Sequence, residues 1–195
     1  MRCRHCGKPV DLILMDLGSS PPSNSYLAND DPQSSETFLP LRVLVCESCW
    51  LVQTEDFADA SLLFGADYAY FSGYSSTWTN HCQTFTDEVT ERFGLDGSSR
   101  VVEVACNDGT LLNYFQMLGM RCTGIEPTAS TAAAALDLGL DIREVFLDNE
   151  VAGSLAADGV IADLLVANNV LAHVPDIVSF TAGCRRLLAS SGVAS

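Results

Sequence analysis

The sequence has few basic residues and no long apolar run. Ten lysines and arginines stand against 25 aspartates and glutamates, which gives a formal net charge of −15. Such a surface repels phosphate backbones and favours solubility, so nucleic acid is not an expected partner. No stretch reaches the ~18 apolar residues of a membrane span, and the N-terminus MRCRHCGKPV lacks the apolar core of a signal peptide. We therefore expect a cytoplasmic protein that binds no membrane.

Low-complexity tracts and internal repeats are also missing, and 48% hydrophobic against 18% charged residues is a globular composition. Three zones follow one another along the chain. Residues 1–57 form a predicted zinc-binding module, and its segment GSSPPSNSYLANDDPQSSE argues against regular structure there. Residues 58–97 form an aromatic and helical connector that contributes to a substrate site, with a helix in TNHCQTFTDEVTERFG. Residues 98–195 form the main domain.

Two CxxC pairs distinguish the first zone. Cys3 and Cys6 form one pair, and Cys46 and Cys49 form the other. Cytoplasmic disulfides are rare, and paired thiolates at this spacing favour one tetrahedral zinc ion, although the gap between the pairs is longer than in most zinc ribbons. Four thiolates leave no open coordination position, so the zinc should be structural. His5 could replace a ligand, but we expect it to face solvent.

Four other cysteines lack paired spacing, and we expect them to be buried small hydrophobic residues: Cys82, Cys106, Cys122 and Cys184.

The third zone alternates strand-like and helix-like segments. RVVEVAC, RCTGIEP, DIREVFL and IADLLVANN are predicted strands, while GTLLNYFQMLG, TASTAAAALDLG and DIVSFTAGCRRLLASSG are predicted helices. This order predicts an α/β fold with a parallel, Rossmann-like sheet and a ligand crevice at the carboxyl ends of its strands. Four strands fall short of the ~6 of a full doubly wound sheet. We therefore expect a sheet that is incomplete at its C-terminal side.

The segment VVEVACNDGTLL has the strand, polar turn and helix start of a nucleotide site. Gly109 allows close approach to a ligand, whereas Cys106 and Asn107, or their neighbours, occupy the earlier glycine positions of GxGxxG. Glu103 and Asp108 place carboxylates beside the crevice. They favour a cation, such as the amino or sulfonium group of S-adenosylmethionine, over a phosphate.

Polar residues after the later strands complete the predicted cofactor site. Glu126 ends the second strand, where a carboxylate can accept hydrogen bonds from both ribose hydroxyls. Asp148 is placed to bind an adenine amino group, although DNE also suits an ordinary turn. Asn168 and Asn169 could hold cofactor or substrate. His173 could act as a base, but we favour a structural or substrate-positioning role.

Together, the four paired cysteines, YAYFSGYSSTWTNH, VVEVACNDGTLL, GIEPT and ANNVLAHVPD resemble the zinc-containing sugar C-methyltransferases, in the same order along nearly the whole chain. The resemblance implies a Rossmann-like class I methyltransferase that uses S-adenosylmethionine on a nucleotide-linked 4-keto-deoxysugar. It implies removal of a proton next to the keto group and attack of the resulting enolate carbon on the cofactor's methyl group. Tyr68 or Tyr70 would be the catalytic tyrosine near the sugar, with structural packing of these rings as the alternative.

The resemblance also implies a C-terminal domain and a histidine–glutamate pair beyond residue 195. The chain is therefore expected to be truncated, and His81 and His173 are not assigned as the general base.

Two other functions remain open. The methyl acceptor could be another small metabolite or a protein. Alternatively, the chain could be a zinc-ribbon module that acts by binding, although the acidic balance and the NDG and GIEP motifs count against this.

Overall fold

We describe the protein from a computed structural model, which covers residues 1–24, 26, 36–57, 63–64 and 68–195. The chain divides into two compact units. One contains Met1–Tyr70 with Pro175–Val178, and the other contains Phe71–Val174 with Ser179–Ser195. In the described ranges, no helix is both long enough and apolar enough to span a bilayer.

The first unit contains a three-stranded antiparallel sheet in the order β1-β2-β3. Its strands are β1 (Leu12–Ser20), β2 (Leu39–Val45) and β3 (Val52–Thr54). The prediction of irregular structure from Gly18 onward is wrong for the first three residues, because Ser19 and Ser20 pair with β2 after an irregularity in register. Residues 25 and 27–35 of that predicted loop lie outside the described residues.

The buried core of this sheet is small. It consists of Cys3, Val10, Leu44 and Cys46, with Cys49 and Leu51 packed against it. Three of these six residues are cysteines of the two pairs, so the apolar core contains few other side chains.

The second unit contains a five-stranded parallel sheet in the order β6-β5-β4-β7-β8, which confirms the predicted fold class. Its strands are β4 (Arg100–Val104), β5 (Arg121–Ile125), β6 (Asp141–Arg143), β7 (Ala162–Val166) and β8 (Leu188–Ala194). The expectation of four strands is wrong, because the segment predicted as the end of the last helix forms β8.

Helices cover both faces of this sheet. They are α1 (Ser76–Phe93), α2 (Thr110–Met117), α3 (Ala129–Asp137), α4 (Asn149–Ala157) and α5 (Ile177–Leu187). The predicted helices correspond to α1, α2, α3 and α5, whereas the sequence analysis missed α4. Ser75 caps the start of α1 by accepting a hydrogen bond from the N–H of Trp78, and Gly94 ends the helix in a left-handed conformation.

Side chains alternate between the two faces of the sheet along each strand, so each face has its own buried core. Val101 and Leu164 pack with buried side chains of α1, α2 and α3, including Phe115. Val102 and Leu165 point to the other face and pack with residues of α4 and α5. The sheet is therefore buried on both sides, as parallel sheets require, and its carboxyl edge carries the predicted ligand-binding residues.

Candidate functional site

The four paired cysteines converge in the first unit. The Sγ atoms of Cys3 and Cys49 lie 3.5 Å apart, those of Cys6 and Cys46 lie 3.6 Å apart, and all four lie within 4.8 Å of one another. A zinc ion bound at about 2.3 Å to four sulfurs requires tetrahedral edges of ~3.8 Å. The donor set and its spacing therefore fit zinc, and His5 is exposed to solvent.

Two matching backbone turns present the sulfurs. The N–H of Gly7 donates to the carbonyl of Cys3 at 2.9 Å, and the N–H of Trp50 donates to the carbonyl of Cys46 at 2.7 Å. The residue after each pair has a positive φ, 70° at Gly7 and 64° at Trp50. Glycine adopts this conformation freely, whereas the second turn imposes it on a tryptophan.

Backbone donors lower the pKa values of two of the four thiols, whereas burial and hydrogen bonds with the neighbouring thiols raise the pKa of Cys49 to about 12. The N–H groups of Ser48 and Cys49 lower the pKa of Cys46 despite its burial. Burial tends to raise the pKa of Cys3, but hydrogen bonds from the backbone of Cys6 and His5 and from neighbouring thiols lower it to about 6. Zinc binds thiolates, so a lower pKa reduces the cost of removing these protons.

At the second site, the loop after β4 has an alternating left-handed backbone. The φ angles are 53° at Ala105, 53° at Asn107 and 75° at Gly109. The sequence analysis placed Cys106 and Asn107, or their neighbours, at the first two glycine positions of GxGxxG. In the structure, the residues with a left-handed backbone before Gly109 are Ala105 and Asn107. A Cβ on Gly109 would lie 2.4 Å from Leu140 Cδ1, so this position has no room for a side chain.

Glu126 is buried immediately after β5 and accepts two backbone hydrogen bonds. The N–H of Asn107 donates to Oε2 at 2.9 Å, and the N–H of Thr128 donates to Oε1 at 2.9 Å. These bonds fix the carboxylate beside the β4 loop. A carboxylate has about four lone-pair sites, so it can accept further hydrogen bonds from a ligand.

Glu103 lies in β4 beneath the same loop and is 5% exposed. Its Oε2 atom is buried and has no hydrogen-bond partner in the part of the chain that the structure describes. Burial raises the pKa of Glu103 well above its ordinary value, opposed by a backbone hydrogen bond from Leu112 and reinforced by Asp108 and Glu126. An orphaned acceptor at this depth is suited to a cationic or donor group of a ligand.

Asn107 and Asp108, both predicted to bind cofactor, direct their side chains toward a 3-10 turn at Ser72–Tyr74. Asn107 Oδ1 accepts from the N–H of Ser72 at 2.9 Å. Asp108 accepts from the hydroxyl of Ser72 at 2.9 Å and from the N–H of Gly73 at 2.8 Å. The sequence analysis missed Ser72 and Gly73, because nothing in the segment FSGYSS distinguishes this turn from other loops.

The other predicted cofactor residues lie after later strands. Asp148 is the N-cap of α4 and accepts a 2.7 Å hydrogen bond from the N–H of Val151. This is a local contact with the backbone, as in the turn that the sequence analysis gave as the alternative. Asn168 and Asn169 follow β7, and Asn169 is exposed with a φ of 55°. His173 is exposed in a short 3-10 helix. Their roles stay predictions.

The two candidate catalytic tyrosines are in the first unit. Tyr68 is partly buried, and its ring centroid lies 5.4 Å from that of Phe64. Tyr70 is 47% exposed. The Phe64 contact supports the packing alternative for Tyr68, and neither catalytic role is tested by the fold.

The remaining cysteines are thiols within the second unit. Cys82 and Cys106 are buried, and Cys122 and Cys184 are partly buried. Burial raises the pKa of Cys82 and Cys122 to about 12 and raises those of Cys106 and Cys184 as well. Thiols with raised pKa values are poor nucleophiles, in agreement with the predicted packing role.

Two family models match the chain. Residues 3–64 match the model described as “Putative zinc binding domain”, and residues 102–194 match that of a methyltransferase domain. The first match covers the four-cysteine cluster and the second covers the parallel sheet. The predicted zinc-binding module is thus supported by geometry and by sequence similarity.

Individual relatives are methyltransferases. The C-methyltransferase NovU of Streptomyces niveus is 32% identical over 191 residues, which cover 98% of this chain and 45% of NovU. The ubiquinone biosynthesis O-methyltransferase of Rhizobium leguminosarum bv. trifolii (strain WSM2304) is 29% identical over 120 residues, which cover 55% of this chain and 46% of that protein. The chain spans about half the length of these curated relatives.

A solved structure shows the same fold. The plantazolicin methyltransferase BpumL, in complex with a triazolic desmethylPZN analog and SAH, aligns with a TM-score of 0.50 at 14% identity. The alignment covers 63% of this chain and 48% of that one.

Proposed function

We propose that the chain, which matches models of a zinc-binding domain and of a methyltransferase domain, is the metal- and cofactor-binding part of an S-adenosylmethionine-dependent C-methyltransferase. The observation that carries the proposal is the arrangement at the carboxyl edge of the parallel sheet. There the left-handed loop 105–109 lies between two buried carboxylates, those of Glu103 and Glu126. NovU, similar over 98% of this chain, is a C-methyltransferase.

The loop and its carboxylates suit S-adenosylmethionine. Glu126 would accept hydrogen bonds from the ribose hydroxyls, and Glu103 would offer its unpartnered Oε2 to a donor group of the cofactor, whose positive charge would favour the ionised form of this carboxyl. Asp148, Asn168 and Asn169 would line the same edge. The cofactor, when bound, supplies an electrophilic methyl group. The chain's residues orient it and exclude phosphate-rich ligands by charge.

The zinc ion would be structural. Four cysteine ligands fill a tetrahedral shell and leave no position for substrate or water. Its contribution is to hold the two turns and the small core of the first unit together.

The acceptor that we propose is a nucleotide-linked 4-keto-deoxysugar. A carbon next to a keto group can lose a proton to give an enolate. The new carbon–carbon bond would form as the enolate takes the methyl group of the cofactor, while the methyl–sulfur bond breaks and S-adenosylhomocysteine leaves. Tyr68 or Tyr70 would lie near the sugar, and the principal base would be the histidine–glutamate pair that the resemblance implies. A cytoplasmic location stays a prediction.

A second candidate is transfer to oxygen on another small molecule. The O-methyltransferase of Rhizobium leguminosarum bv. trifolii, 29% identical over 120 residues, favours it. The zinc-binding region argues for the first candidate, because the similarity to NovU extends over 191 residues and includes that region.

Product analysis separates the two candidates. The protein, together with the region that supplies the histidine–glutamate pair, is incubated with methyl-13C-labelled S-adenosylmethionine and a nucleotide-linked 4-keto-deoxysugar, and the product is examined by carbon NMR. We expect the labelled methyl carbon to be bonded to carbon next to the former keto group. A label bonded to oxygen, or transfer only to phenolic acceptors, would contradict the proposed acceptor while leaving the methyltransferase assignment intact.

A further inference from the structure

Asp108 is surrounded by protein donors. Its Oδ1 accepts from the hydroxyl of Ser72 at 2.9 Å and from Thr110, through the backbone N–H at 3.2 Å and the hydroxyl at 2.6 Å. Its Oδ2 accepts from the N–H of Gly73 at 2.8 Å. Three of these contacts fall on Oδ1 and one on Oδ2, so Oδ1 has no lone pair left for a ligand. A cofactor amino group would have to share Oδ2 with the N–H of Gly73.

The contact with the 72–74 turn is close and specific. Ser72 is 7% exposed, and its hydroxyl lies within hydrogen-bond distance of both Asp108 Oδ1 and Asn107 Oδ1. A Cβ on Gly73 would lie 2.8 Å from Thr110 Oγ1 and 3.0 Å from Asp108 Oδ2. The turn therefore packs against the β4 loop with no space for a side chain at Gly73.

The same hydrogen bonds lead to the proposed ribose carboxylate. The side chain of Asn107 holds Ser72, and its backbone N–H donates to Glu126 Oε2 at 2.9 Å. Asn107 also has a left-handed backbone, so its position depends on contacts around it. The 72–74 turn, the β4 loop and Glu126 thus form one connected network.

We propose that Asn107 and Asp108 are positioning residues, and that Asp108 acts on S-adenosylmethionine through the Ser72–Gly73 turn without touching it. The inference rests on the proposed function and changes the role of two residues predicted to bind cofactor. It also adds Ser72 and Gly73 to the residues on which cofactor affinity depends. The carboxylate of Asp108 stabilises the 72–74 turn by accepting hydrogen bonds from Ser72 and Gly73.

The test compares two variants that each lose one hydroxyl donor to Asp108, one inside the 72–74 turn and one outside it. Ser72→Ala removes the hydroxyl by which the turn reaches Asp108 and keeps the backbone bonds of Ser72 and Gly73, whereas Thr110→Val removes a hydroxyl donor that lies outside the turn. Both lose one hydroxyl hydrogen bond, so we expect similar small decreases in thermal stability. S-adenosylmethionine affinity, measured by calorimetry, should fall about tenfold in Ser72→Ala and less than about twofold in Thr110→Val.

A double-mutant cycle completes the test. We expect Ser72→Ala combined with Asp108→Ala to bind S-adenosylmethionine as Asp108→Ala does alone, because the Ser72 hydroxyl acts through Asp108. A Ser72→Ala protein with wild-type affinity, beside an Asp108→Ala protein that has lost binding, would mean that Asp108 does not act through the Ser72 hydroxyl, and this result would overturn the assignment without affecting the proposed function. Absence of binding by the wild-type protein would instead overturn the proposed function, and this assignment with it.

Discussion

At the residue scale, Glu103 is a buried acid at the centre of the proposed cofactor site. In the unfolded chain it loses its proton near the ordinary glutamate pKa of about 4.3, whereas burial keeps it protonated to higher pH in the folded protein. The folded state therefore binds more protons above that pH, and the free energy of unfolding falls as pH rises.

Glu103→Gln removes this titration. In the wild type, each pH unit between the two pKa values lowers the free energy of unfolding by up to about 1.4 kcal/mol, and the glutamine variant lacks this loss. We expect Glu103→Gln to gain stability over wild type from pH 5 to pH 8 in urea denaturation series. Exposed Glu144→Gln serves as the control. Parallel pH profiles for wild type and Glu103→Gln would show that Glu103 is ionised in the folded protein.

Residue types that carry chemistry were the easiest to predict. The CxxC spacing was sufficient to identify the metal ligands, because four thiols at such intervals have few other uses in a reducing compartment. By contrast, the left-handed Ala105 could not be foreseen, since alanine rarely adopts this conformation and the surrounding contacts impose it. The bonds from Asp108 to Ser72 were equally hidden, because these residues are 36 positions apart.

At the scale of elements, the three-stranded sheet depends on its metal. Among the described residues of this unit, its core contains only Val10 and Leu44 as buried hydrophobic residues besides Cys3 and Cys46, and so few buried side chains contribute little apolar burial. Zinc binding would then supply most of its folding free energy. The second unit has two larger cores of its own, one on each face of the parallel sheet.

Removing zinc should therefore unfold one unit and spare the other. After treatment with a chelator, we expect hydrogen exchange measured by mass spectrometry to become fast in residues 1–20 and 39–54 and to stay slow in β4, β5 and β7. Cys46→Ser should have the same effect, whereas Cys184→Ser, outside the cluster, should not. Slow exchange throughout the metal-free protein would show that the first unit folds without zinc.

The alternation of apolar strand-like and helix-like segments predicted most of the second unit, but it did not predict α4 or β8. NEVAGSLAA contains glycine and serine and has only three large apolar or charged side chains to mark a face, so α4 was not recognised. β8, with the sequence LASSGVA, has few strand-forming residues. Its position comes from pairing with β7, where Gly192 leaves room for the carbonyl of Ala162, 2.6 Å from where a Cβ would lie.

At the scale of the whole molecule, the chain combines a thiol-rich metal module with a cofactor-binding sheet and carries a net charge of −15. The zinc cluster and the parallel sheet follow from sequence patterns. The identity of the methyl acceptor does not, because it depends on the shape and chemistry of the acceptor pocket, which no motif of this chain specifies. NovU, of which the aligned region is 45%, indicates how much additional chain such an enzyme can contain.

The central claim, that the sheet edge binds S-adenosylmethionine, is tested most directly by calorimetry on the zinc-loaded protein. We compare wild type, Glu126→Gln and the control Glu144→Gln, which alters an exposed carboxylate without breaking the bonds to Asn107 and Thr128. We predict saturable binding by wild type and by the control, with affinity lower by about tenfold or more in Glu126→Gln. No binding by the folded wild-type protein, or equal affinity in all three, would contradict the account.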